Sequence, residues 1–144
     1  MLPIGVLTAF AVVLSSGCSK TAGSAEPARN ARPAEIAVWV YETFPPTDGR
    51  PPTRFLLSDE ERRPIDPLLP DFSRAEDHVC KCGVSDFGFE LHRAPGDRPY
   101  AEGHFFHGPD ELVASQDGAR GRLRGQTKLH AAFVQVLQRR GYRR

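Results

Sequence analysis

Between Leu129 and Leu137 the side chains of Leu129, Ala132, Phe133, Val136 and Leu137 recur at steps of three and four. In an α-helix that spacing gathers them into one apolar stripe. A helix of this kind must lay its stripe on another apolar surface, so the rest of the chain has to supply one. Thr127 is the expected N-cap and Gly141 the expected residue just past the C-cap. Arg139 and Arg140 suit the negative end of the helix dipole.

The surface is predicted to be a sheet. Ile36 to Tyr41 is apolar on both faces and rich in β-branched and aromatic residues, which favours a buried strand over a helix. Phe44 to Gly49 ends it, and Phe55 to Leu57 is a second short strand. Ser58 and Glu61 have capping-box spacing, but Pro64 allows little more than one helical turn. Ile65, Leu68 and Leu69 then anchor a proline-punctuated loop on the core. Val79 to Leu91 reads as strand broken near Gly83 to Asp86. Its last part sets Phe87, Phe89 and Leu91 on one face to pack, with Glu90 and His92 facing water. Tyr100 to His107 is a further strand, and Leu112 to Ser115 pairs with Arg120 to Arg124 as a hairpin around Gln116-Asp117-Gly118-Ala119. The expected fold is α+β: a small antiparallel sheet with one C-terminal amphipathic helix packed on it.

The first eighteen residues are of another kind. An uncharged apolar run from Leu2 to Leu14, closed by Ser15, Ser16 and Gly17 before Cys18, is a signal segment by its length. The small residues and the cysteine make it resemble a bacterial lipoprotein leader, although Ser15 stands where that family usually has Leu and no Lys or Arg lies near the start. The resemblance implies cleavage after residue 17, acylation of Cys18, and a protein held by lipid on a membrane of the cell envelope, facing the periplasm or the exterior. With Ser19 after the cysteine, it further implies outer-membrane sorting in a two-membrane cell. Residues 18–34, rich in Ser, Ala, Gly and Pro, then form a tether. Residues 35–144 form a single α+β domain.

Charge narrows the partners. The formal net charge of +1 gives no general affinity for nucleic acid. Arg120, Arg122 and Arg124 alternate along a strand, so they share a face that suits lipid phosphates or an acidic partner, or that is simply solvated.

The densest set of possible ligands is His78-Val79-Cys80-Lys81-Cys82. In extended chain His78, Cys80 and Cys82 share a face, and thiolate with imidazole suits zinc or copper, with His104 or His107 completing the set. The one-residue gap between the cysteines is short for a zinc site, which usually leaves at least two. Cys80 and Cys82 also allow a disulfide across a tight ring, reactive if strained, or a static structural pair. No Gly-x-Ser-x-Gly elbow, His-Glu-x-x-His helix or phosphate-binding glycine loop occurs. The chain therefore reads as a non-catalytic binding or accessory module with a protein or envelope partner, and alternatively as a metal-binding or thiol-redox protein.

Overall fold

A computed structural model of the chain describes residues 32–77, 85–106 and 108–144. Seven strands form one antiparallel sheet: β1 (Glu35–Val40), β2 (Thr53–Leu56), β3 (Glu76–Asp77), β4 (Phe87–His92), β5 (Ala101–Phe105), β6 (Leu112–Gln116) and β7 (Ala119–Leu123). Their order across the sheet is β2-β1-β4-β5-β6-β7-β3. The one-turn helix α1 (Asp59–Arg62) follows β2, and α2 (Thr127–Arg139) closes the chain. The fold is α+β, with α2 packed on the sheet.

Strand alternation assigns each residue to a face. Val38 lies opposite Phe89, Phe89 opposite Gly103 and Gly103 opposite Ala114. These positions, with Ile36, Val40, Phe87, Leu91, Phe105, Leu112 and Leu123, meet the α2 stripe in one apolar core. Phe133 stacks on Phe89 with centroids 4.8 Å apart and planes 13° apart. Gly103 is small for a reason: a Cβ there would sit 2.6 Å from Phe89 Cζ. The ring occupies the space that any other residue on β5 would fill.

The ends of the elements follow local chemistry. Ser58 Oγ accepts from the Glu61 N–H and the Glu61 carboxylate accepts from the Ser58 N–H, so the capping box is complete. Thr127 is the first residue of α2, not its cap; Gln126 flanks the helix and the Thr127 hydroxyl donates to Asp110 Oδ1 instead. At the other end Gly141, at φ 91°, and Tyr142 donate their N–H groups to the carbonyls of Gln138 and Leu137, a Schellman closure. The hairpin between β6 and β7 is tighter than expected. Gln116 and Ala119 are paired, which leaves only Asp117 and Gly118, at φ 47° and 86°, in the turn.

Two arginines tie the sheet to the elements around it. Arg62, almost fully buried, donates to the carbonyls of Pro33 and Ala34 and so fastens α1 to the start of β1. Arg140 lies over the Phe55 ring at 4.0 Å and pairs with Glu61 at 2.6 Å. It also donates to the outward carbonyl of Leu56 on edge strand β2. Part of that edge is thereby closed to strand pairing.

Candidate functional site

The same alternation sets a second group of residues on the opposite face, where no helix packs among the described residues. Register places Trp39 opposite both Arg54 and Gly88, Gly88 opposite His104, and Glu90 opposite Ala37. Trp39 lies on this face because its parity in β1 is opposite to that of Ile36, Val38 and Val40.

Gly88 explains how the indole sits. A Cβ at that position would be 2.3 Å from Trp39 Cζ2 and 2.6 Å from Cε2. One face of the ring therefore rests on bare backbone of β4. The residue as a whole is half-buried, and part of its surface lines a groove. Tyr41 meets the indole edge-on, with centroids 6.2 Å apart and planes 77° apart. Together with Pro51, Pro52, Arg54, Glu90 and His104 they line an apolar groove of about 500 Å³.

A polar network forms one wall. Arg54 reaches across β1, and its Nε and Nη2 donate to Glu90 Oε2 at 3.0 and 2.7 Å. The pair bridges β1 diagonally, from β2 to β4, over Ala37, which is completely buried. Arg54 is held even more firmly cationic than usual by its hydrogen bond to Glu90. His92 stands behind the pair. Its Nδ1 lies 2.7 Å from the Asp97 carbonyl and must donate there, since a carbonyl only accepts. Its Nε2 faces Arg54 Nη2 at 3.3 Å and Glu90 Oε2 at 3.2 Å. The sequence placed Glu90 and His92 in water. They do lie opposite the Phe face, but His92 is 4% exposed because Arg54 and the Asp97 loop enclose it.

His104, half-buried in the groove wall, titrates below the ordinary imidazole value. Burial is the main cause, and the nearby positive charge of Arg120 adds to it. Of the arginine row, Arg120 is exposed, Arg122 is spent on Glu111 and Glu76, and Arg124 lies beyond the end of β7.

The sequence-predicted ligands fare differently. Cys18, His78, Cys80, Cys82 and His107 lie outside the described residues; His104 alone of the set is described. Among the described residues no three His, Cys, Asp or Glu side chains gather as a metal-binding group. Nothing in the local sequence pattern marks the groove at Trp39. The run through Ile36 to Tyr41 is apolar at every position, so its parity gave no sign that one of its two faces is open. The chain's only tryptophan, in a strand otherwise made of smaller residues, was the available signal. No family model, curated protein or solved structure matches the chain.

Proposed function

We propose that this chain is an exported lipoprotein, acylated at Cys18 and held in the bacterial cell envelope. Its domain works as a binding or accessory module through the open face of its sheet. The supporting observation is the groove at Trp39. It combines a partly buried indole that lines the groove, a second aromatic ring and a mutually neutralising Arg54–Glu90 pair on one sheet. Binding sites have this makeup: mostly apolar lining with a few placed polar groups. Residues 18–31, ahead of Pro33 and Ala34 that Arg62 holds to the domain, are long enough to let such a domain reach away from the membrane.

The test has two parts. Metabolic labelling with a palmitate analogue should tag the wild-type chain and not Cys18→Ala. Photo-crosslinking side chains placed at His104 and Arg120 should then capture envelope material in cells, while the same groups at Lys128 and Gln135 on the outer side of α2 should not. Adducts from the α2 positions alone would remove the open face from consideration. Near-stoichiometric zinc or copper in the purified chain, lost in Cys80→Ser, would replace this reading with the metal-binding one.

A further inference from the structure

The groove also constrains what it can hold, and the inference rests on the binding reading above. The two charged side chains that line it pair with each other: Arg54 Nη2 lies 2.7 Å from Glu90 Oε2. An ionic ligand seated in the groove would have to displace one partner of that pair. The charges of this face with no ion-pair partner among the described residues, Glu102 opposite Glu90 and the exposed Arg120, lie outside the groove lining. The hydrogen-bonding capacity is not exhausted, however. Both bonds from Arg54 to Glu90 end on Oε2, and Arg54 spends only Nε and Nη2. Glu90 Oε1, Arg54 Nη1 and the indole N–H of Trp39 have no hydrogen-bond partner among the described residues. The wall therefore offers one acceptor and two donors beside a flat aromatic surface.

A hydroxyl both donates and accepts. A ring that presents C–H groups on one face and hydroxyls at its edge satisfies all of these features together. A proline-rich peptide, the other common occupant of grooves lined by Trp and Tyr, does not. Its carbonyls would use the donors, but a run of consecutive prolines has no N–H to offer Glu90 Oε1, and a PxxP segment has one only where a non-proline residue falls beside it. Covering that oxygen without a donor is costly for a carboxylate.

We infer that the Trp39 groove is a saccharide subsite: a neutral pyranose ring stacks its C–H face on the indole while its hydroxyls bond to Glu90 and Arg54. Trp39 is the chain's only tryptophan, so its emission reports on this site alone. The full chain, purified in detergent, is titrated with cellotetraose, maltotetraose, chitotetraose and a proline oligomer. At least one oligosaccharide should shift the emission saturably. Arg54→Gln and Glu90→Gln should each weaken that binding by about tenfold or more while their unfolding stays cooperative. His130→Gln, on the far face, should leave it unchanged.

Three outcomes overturn the inference: no saccharide moves the emission into the millimolar range, both variants bind as the wild type does, or only the proline oligomer saturates. The last would keep the groove as a binding site for peptide. Failure with all four probes, set against persistent open-face cross-links, would sink the saccharide and leave the binding reading standing.

Discussion

The two faces of the sheet are built from the same strands and differ by one residue in register, yet they solve opposite problems. On the helix face Phe87, Phe89 and Leu91 are at most 1% exposed and interlock with Phe133. On the open face the intervening residues of β4 are Gly88, Glu90 and His92, and they support a half-buried tryptophan and a hydrogen-bonded ion pair. Each face uses a glycine to seat a ring, Gly103 for Phe89 and Gly88 for Trp39. On one side the seated ring is sealed in the core. On the other it is laid flat and left accessible. Burial on the first face specifies the fold, and the second carries polar groups that the core does not need.

The sharpest way to break this division is Phe133→Ala. Phe133 is completely buried and stacks on Phe89, so its removal leaves a cavity between helix and sheet. We expect a loss of about 3–5 kcal/mol in denaturant unfolding. A loss below about 1 kcal/mol would mean that α2 is not an essential cover for the sheet.

The paired glycines test the division more finely. Gly103→Ala drives a methyl group to within 3.0 Å of Phe89 and Leu112, and Gly88→Ala drives one against Trp39 and the Gly103 carbonyl. Each should cost about 1–3 kcal/mol of stability. Only Gly88→Ala should also shift the resting emission of Trp39. Equal emission changes in the two variants would show that the faces are mechanically coupled.

A smaller effect is expected at the edge where the faces meet. Arg140→Ala removes the bonds to Glu61 and Leu56 and the contact with Phe55, at an expected cost of about 1 kcal/mol near neutrality for so accessible a pair. Arg140, more than any other group, holds the Glu61 carboxyl down to about 2 from its ordinary value of 4.5. That contribution is complete above pH 4.5 and is lost as the pH falls toward 2. Melting curves of the variant should therefore show a smaller drop than the wild type across this window, the remainder coming from the Ser58 hydrogen bonds. With the β2 edge less guarded, the variant should also self-associate more readily by light scattering.

How much of this the chain announces depends on the kind of signal. The stripe from Leu129 to Leu137, the Ser58–Glu61 box and the alternation of Phe87, Phe89 and Leu91 are local patterns, and each reads correctly because one element generates it. The α2 cap does not, since a side chain seventeen residues away, Asp110, competes for the Thr127 hydroxyl. The groove was illegible for the same reason. Arg54 and Glu90 are thirty-six residues apart, and only the β2-β1-β4 order brings them together across β1. Glycine at 88 is unremarkable until Trp39 lies on it. No periodicity within one strand encodes what a neighbouring strand will place beside it.

The least expected change, and the one that reads both faces at once, is with pH. Each face holds one histidine whose titration is depressed. His104 on the open face is lowered by burial and then by Arg120. His130 on α2 is lowered by burial beside the Phe105 and Phe87 rings, an effect only partly offset by Asp86. A folded state that resists protonation binds fewer protons than the unfolded chain, so stability rises with pH through this range. The contribution is intact above 6.5, the ordinary imidazole value, and is lost as the pH falls from there toward the lower folded-state values. His130→Gln and His104→Gln should each flatten part of that slope in thermal melts. Saccharide bound in the groove should act on only one of them. By excluding water around His104 it would deepen the open-face share of the slope in His130→Gln, and it would leave the slope unchanged in His104→Gln. A ligand effect that persists in His104→Gln would place the bound ring away from the Trp39 groove.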